Sequence, residues 1–322
     1  MAALPRVVSL FAGIGGICLG FKQAGFQIVW ANEKDAAACR TYRYNFGSEY
    51  LVEGDIKKID MSKLPSADVL AAGFPCQAFS VGGKERGFDD PRGQLFFQVI
   101  RAIEAIQPPV VFLENVENLM EHDGGRTFQV IYASLVEHGY ILRYRPMATH
   151  EYANIPQTRR RIYIVAFRDY GLCQKFQFPE PIPLTATLDQ FLDKNEEQHE
   201  VYYFRSNDAY NEYIRNNVTD DRYLYRLYNG SLRKLTNSKS PTLTASMSTT
   251  RNAVVLKDAW GVRRLTLRES LRLQGFPPEF YFPNTIKLED AYKQIGNSVS
   301  VPVIRNIAKQ IYSVLDERDK YS

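Results

Sequence analysis

An α/β fold, a sheet covered by helices on both faces, is what the first half of this chain predicts. Three observations carry that expectation. Short apolar runs recur at Val7–Phe11, Ile28–Ala31, Val69–Ala72, Val110–Leu113 and Ile162–Phe167, each too short for a helix and rich in residues that suit a buried strand. Helical periodicity fills Ile17–Ala24, Asp35–Asn45, Leu95–Ile106 and Thr127–His138 between them. A glycine-rich turn, Phe11-Ala12-Gly13-Ile14-Gly15-Gly16, separates the first run from the first helix, as at the start of a βα unit. A parallel sheet follows from this rhythm, and parallel sheets hold their ligands beyond the carboxyl ends of the strands.

Composition narrows the classes further. With 322 residues, 45% hydrophobic and 24% charged, the chain can build a substantial core, which excludes disordered and collagen-like sequences. No apolar run approaches the roughly 18 residues of a membrane helix. Cys18, Cys39, Cys76 and Cys173 form no C-x-x-C pair, so no zinc site or disulfide framework is expected and a reducing, intracellular setting fits. The net charge of +4 does not argue for nucleic acid by itself. Its distribution does: residues 184–221 hold three Lys and Arg against nine Asp and Glu, whereas 222–262 hold seven against one. The basic half interleaves Tyr223, Tyr225 and Tyr228 with Arg222, Arg226, Arg233 and Lys234, a composition suited to phosphates and stacked bases. Pro179, Pro181 and Pro183 mark the boundary before it.

Each strand end carries a candidate for chemistry. The glycine turn lacks the last glycine of the dinucleotide fingerprint, since Cys18 stands there, which disfavours a nicotinamide or flavin. Glu33, ending the second strand, is placed to accept ribose hydroxyls, and Asp55 to bind an adenine amino group. An adenosine-containing cofactor is therefore expected. Pro75-Cys76-Gln77 ends the Val69–Ala72 strand, ahead of the glycine-bearing stretch Val81-Gly82-Gly83-Lys84, and reads as a nucleophile heading a loop. Glu114 ends the Val110–Leu113 strand and, if the two strands are neighbours, shares one cleft with Cys76 as its proton donor. Arg159 and Arg161 of Gln157-Thr158-Arg159-Arg160-Arg161 alternate onto one face of a strand, where they can lower a thiol pKa or hold a phosphate or base.

In order along the chain, these motifs resemble the cytosine-5 DNA methyltransferase family. They continue through Asp90-Pro91-Arg92-Gly93, Arg264-Leu265-Thr266 with Arg268-Glu269, and Gly296-Asn297-Ser298-Val299. The resemblance covers nearly the whole chain. It implies a Rossmann-like S-adenosylmethionine-dependent methyltransferase sheet with a smaller target-recognition domain: residues 1–183 catalytic, 184–286 recognising the target, and 287–322 returning to the catalytic domain. It also implies S-adenosylmethionine as cofactor without a metal, held by Phe11, Gly13, Gly15, Gly16, Glu33, Asp55, Ile56, Pro75, Leu95, Asn297 and Val299. Catalysis falls to Cys76, Glu114, Arg159 and Arg161. Duplex DNA is expected against Gln77, Ser80, Gly82, Lys84, Arg92, Arg226, Arg233 and Thr242, the last beside Leu243 in a Thr-Leu pair that resembles the family's target-recognition marker. A cytoplasmic, nucleoid-associated monomer, working alongside a cognate restriction endonuclease without needing to touch it, completes the expectation.

Other classes stay open at this point. A cysteine hydrolase would need a histidine base, and His122, His138, His150 and His199 end no expected strand. A silent DNA-binding module needs neither a nucleophile nor an adenosine pocket. Methyl transfer to RNA, as in tRNA-methylating members of the same family, is separated from the DNA reaction by the choice of acceptor.

Overall fold

Strand β1 (Arg6–Leu10) lies inside a seven-stranded sheet that the chain builds outward in both directions. The computed structural model describes residues 3–74 and 94–321, with side chains given for 3–74 and 95–317. After β1 come α1 (Gly16–Gln23), β2 (Gln27–Glu33), α2 (Ala36–Phe46), β3 (Leu51–Glu53), β4 (Val69–Gly73), α3 (Gln94–Ile106), β5 (Val110–Val116), α4 (Arg126–Glu137), β6 (Ile141–Ala148), α5 (Thr149–Tyr152), β7 (Arg160–Phe167) and α6 (Tyr170–Lys175). The order in the sheet is β3-β2-β1-β4-β5-β7-β6. β1 pairs in parallel with β2 and β4, β2 with β3, and β4 with β5.

Alternation along the strands explains the two covered faces. Val8, Leu10, Leu70, Ala72, Val111 and Leu113 form one core with Phe96, Val99 and Ile103 of α3 and Ile131 and Leu135 of α4. On the other face, Phe112 meets Phe21 of α1 at 5.3 Å between ring centres and Tyr163 at 6.2 Å. Each fully buried side chain of this size contributes about 1.5–3 kcal/mol relative to exposure. Over α1 lies the final helix (Val301–Tyr321), whose Tyr312 stacks edge-on with Phe26 at 5.5 Å.

The expectation of an all-parallel sheet is corrected at β7, which runs antiparallel to β5 with Glu114 opposite Tyr163. A parallel return needs a crossover of about a dozen residues or more, usually a helix packed on the sheet. Here residues 148–159, between β6 and β7, belong to a second unit, and the only helix among them is the four-residue α5. β6 itself had no sequence signal. Its arginines Arg143 and Arg145 and its Pro146 interrupt the apolar run, and proline is tolerated because β6 is an edge strand.

One unit comprises residues 1–147, 160–180 and 301–322, and the other 148–159 and 181–300. The second therefore takes in 148–159 and also 287–300, which the sequence grouped with the catalytic part. It contains α7 (Ala209–Asn217), β8 (Tyr225–Tyr228), β9 (Ser231–Lys234), β10 (Val254–Asp258), β11 (Gly261–Arg264), α8 (Leu267–Leu273) and α9 (Leu288–Asn297). Its sheet, ordered β11-β10-β8-β9, is antiparallel throughout. Asn229 and Gly230, both at positive φ, make the two-residue turn between β8 and β9, the strongest short hairpin signal a sequence offers. Phe204, Ile214, Tyr225, Leu227, Val255 and Val262 fill the core beneath.

A buried ion cluster ties β10, β11 and α8. The Arg263 guanidinium, fully buried, donates to Asp258 Oδ2 at 2.6 Å and to both oxygens of Glu269 at 2.8 Å. Burial alone would lower the arginine's pKa, but the hydrogen bonds and charges of Glu269 and Asp258 more than offset this and raise it. Glu269 also closes a capping box with Thr266 at the start of α8. Among the described residues, no helix is long and apolar enough to cross a membrane.

Candidate active site

The carboxyl ends of β1, β2 and β3 form a cradle of backbone and carboxylate groups. Leaving β1, the chain turns sharply, with Phe11 at φ 54° and Gly13 at φ 56°. A side chain added at Gly13 would meet nothing within 4 Å, so the loop's backbone is open to a ligand there; at Gly15 it would lie 2.3 Å from the Phe46 ring. The two glycines thus serve different needs, approach and packing. The Gly13 N–H donates to Glu33 Oε2 at 2.9 Å, and Glu33 Oε1 accepts from the N–H groups of Lys34 and Asp35 at 2.8 Å. Three N–H groups therefore fix this carboxylate at the end of β2, and an acceptor direction remains on Oε2.

Neighbouring residues hold the rest of the cradle. Asn32, to which the sequence assigned no role, donates to the carbonyls of Val52 and Gly54 at 2.9 and 3.0 Å, joining the ends of β2 and β3. Asp55 Oδ1 accepts from Lys57 N–H at 3.0 Å and caps a short turn. Ile56 is buried in the sheet's core, and the partly buried Phe11 and Leu95 pack against that same core. Gly16 is buried at the start of α1. Beneath Glu33, burial first and then the charges of Glu53 and Glu33 push the Cys39 thiol up to about 12, and burial raises that of Cys18. Both cysteines are neutral packing groups at physiological pH.

The next strand ends carry the acid. Register places Gly73 of β4 beside Glu114 of β5, and a side chain at Gly73 would come 3.5 Å from Glu114 Oε2. The antiparallel course of β7 brings its first residues to this same edge. Arg161 Nε lies 3.5 Å from Glu114 Oε1, with both side chains largely buried, 14% and 10% exposed. Asn115, to which the sequence assigned no role, donates from Nδ2 to the Phe74 carbonyl at 3.0 Å and accepts the Val116 N–H at 2.8 Å. It thereby anchors the chain two residues ahead of Cys76. Cys76 itself, with Pro75, Gln77, Ser80, Gly82, Lys84 and Arg92, lies outside the described residues.

In the second unit, the remaining sequence candidates divide between buried and exposed positions. Arg159 is 3% exposed; its guanidinium donates to the carbonyls of Leu243 at 3.3 Å, Gly296 at 3.4 Å and Ser298. Asn297 is exposed at the end of α9 and Val299 is buried. Arg226 and Arg233 stand directly opposite each other on β8 and β9, with Arg226 5.8 Å from the centre of the exposed Tyr228 ring. Like charges facing across a ladder are unfavourable, and a phosphate between them would relieve it. Arg222 and Lys234, by contrast, both pair with Asp220, at 2.9 and 2.8 Å. Thr242 is half-buried next to the fully buried Leu243.

Comparison with known proteins finds relatives along nearly the whole chain. Type II methyltransferase M.Bsp6I of Bacillus sp. is 42% identical over 311 residues, covering 95% of this chain and 98% of that one. M.HhaI of Haemophilus parahaemolyticus is 35% identical, covering 97% and 95%. Among solved structures, the S. pombe Dnmt2 methyltransferase matches with a TM-score of 0.73 over 98% of this chain and 99% of that chain at 20% identity, a likeness of fold. A prophage-encoded DNA modification methyltransferase from E. coli, described as putative, gives 0.66 at 23% identity, over 98% and 100%. The model of the C-5 cytosine-specific DNA methylase family matches residues 5–313, the span that holds the glycine cradle, Glu33, Glu114 and Arg161, and to that family the chain belongs.

Proposed function

We propose that this enzyme transfers a methyl group from S-adenosylmethionine to C5 of a cytosine flipped out of a specific duplex DNA sequence. As a Type II methyltransferase, like the relatives named above, it would shield host DNA from a cognate endonuclease, acting as a cytoplasmic, nucleoid-associated monomer with no metal. The observation that carries the reading is the single sheet edge on which the open Gly13 backbone, the fixed Glu33 carboxylate and the buried Glu114–Arg161 pair stand together. The cradle fits the cofactor. Gly13 admits close approach, Glu33 offers an acceptor to the ribose and Asp55 one to the adenine, with Phe11, Gly15, Gly16, Ile56 and Leu95 beside them; the family resemblance assigns Pro75, Asn297 and Val299 to the cofactor as well. Bound there, S-adenosylmethionine supplies an electrophilic methyl group.

Cytosine C5 is too poor a nucleophile to take that methyl unaided. The Cys76 thiolate adds to C6, and Glu114, held beside Arg161, donates a hydrogen bond or proton to N3, so that C5 becomes enamine-like. Methyl transfer would leave S-adenosylhomocysteine; C5 then gives its proton to solvent, the electron pair of that bond re-forms the C5–C6 double bond, the C6–sulfur bond breaks to regenerate the thiolate, and N3 returns any proton it took to Glu114. Flipping the base out of the stack costs a few kcal/mol. Contacts to phosphate from Arg226 and Arg233, and to the DNA from Thr242, Gln77, Ser80, Gly82, Lys84 and Arg92, help to offset that cost.

The test is to present S-adenosylmethionine with labelled methyl and, separately, duplex DNA and tRNA, and to identify the methylated base after hydrolysis. 5-Methylcytosine in the duplex is expected. Label found only in tRNA would move the reading to the RNA branch. A duplex with 5-fluorocytosine at the target should then trap a covalent adduct that survives denaturing electrophoresis and is absent from Cys76→Ser, because fluorine cannot leave C5 as a cation. Methylation of the normal duplex without an adduct would overturn the covalent route.

A further inference from the structure

Two separate segments of the second unit meet at one buried guanidinium, which a third segment carries. Arg159 reaches the carbonyl of Leu243, the second residue of the Thr-Leu pair, and the Gly296 and Ser298 carbonyls on either side of Asn297. Around it the backbones are in direct contact. A side chain at Gly296 would fall 2.1 Å from the Thr244 carbonyl carbon and 2.2 Å from the Ala245 nitrogen, so only glycine lets α9 end against that turn. Backbone bonds tie the third segment in: Thr158 N–H donates to the Ser240 carbonyl at 2.9 Å and Ser240 N–H to the Pro156 carbonyl at 2.7 Å. A planar fork with five donors suits several fixed carbonyls at once; a lysine at this site reaches fewer.

We infer that Arg159 is a positioning residue that locks the Thr242–Ala245 turn to the Gly296–Ser298 turn, so that target recognition and cofactor binding are set by one joint. The inference rests on the methyltransferase reading, which gives Thr242 to the DNA and Asn297 and Val299 to the cofactor. Its content is energetic. Whatever moves one turn must move the other, and by linkage each ligand then alters the affinity of the other by the same factor. Arg159 acts through these carbonyls rather than on the reacting atoms.

The experiment compares wild type, Arg159→Lys and Gly296→Ala. It measures binding of S-adenosylhomocysteine and of a target duplex, each alone and with the other present, and the single-turnover rate with both saturating. Wild-type methylation is established first, because its failure sinks the functional reading and not this inference alone. Arg159→Lys is expected to weaken both ligands by about tenfold, the equivalent of one hydrogen bond from a charged group, and to reduce their mutual enhancement. Its rate at saturation should fall less than about tenfold. Gly296→Ala, which strains the joint from its other side, should reproduce the pattern. A rate at saturation that drops a hundredfold with both affinities unchanged would place Arg159 on the reacting atoms and overturn the proposal. So would normal binding and coupling in both variants. If neither variant folds, the joint is general scaffold and the proposal fails.

Discussion

Glu114 shows how much one side chain depends on its strand neighbours. Gly73 clears the space on one side and Arg161 brings positive charge to the other, so the carboxyl group is held at the strand end in a largely water-excluded place where its charge interactions are strong. Glu114→Gln keeps the shape and removes the proton. Methyl transfer should slow by about 10²–10⁴-fold, the usual range for a positioned acid, with cofactor affinity little changed; single-turnover kinetics and calorimetry read the two quantities. A loss under tenfold would assign the proton to another group. Glu114, Glu33 and Gly13 were legible in the sequence because each follows an apolar run, and strand ends in such sheets face the ligand. Asn32 and Asn115 were not, although each stands beside one of those candidates. Their work is to hydrogen-bond carbonyls of adjacent strands, and adjacency exists only once the sheet order is known.

Elements repeat the lesson. The strands of the βα units declared themselves by uninterrupted apolar runs, whereas β6, polar and carrying Pro146, did not, and with it went the reversal of β7. That reversal matters chemically, since it delivers Arg161 to the edge occupied by Glu114. In the second unit, β10, β11 and α8 are joined through Arg263, whose charge is matched by Asp258 and Glu269, all three side chains fully buried. Breaking such a cluster by removing one partner leaves an uncompensated charge and costs about 3–5 kcal/mol. Glu269→Gln should therefore lower the unfolding free energy by that amount in urea titrations, because the bidentate pair and part of the α8 cap are lost together. A change below about 1 kcal/mol would mean that water or another group takes over the role of the carboxylate.

For the whole molecule, composition and charge in the sequence set the boundary between residues 183 and 184, whereas the second compact unit starts at Pro181 and also draws on residues 148–159. That short excursion carries no compositional mark, since its membership is settled by long-range contacts such as those of Arg159. Exchange of target specificity between relatives should follow the structural division. A chimera receiving 148–159 together with 181–300 is expected to stay folded and methylate the donor's sequence; one receiving only 184–262 should lose stability at the Arg159 joint, read as a lower melting temperature. Equal behaviour of the two grafts would show that the excursion is not part of the exchangeable unit.

The final helix, packed over α1, also sets a timetable. The sheet's first strands leave the ribosome early, but the helix that covers α1 and meets Phe26 through Tyr312 is made only after the intervening residues 181–300 have been synthesised. At about 5–20 residues per second, that stretch takes roughly 6–24 s. Throughout this interval the α1 face that the final helix covers has no partner in the chain already made, so a chain ended before residue 301 is expected to expose that face to solvent.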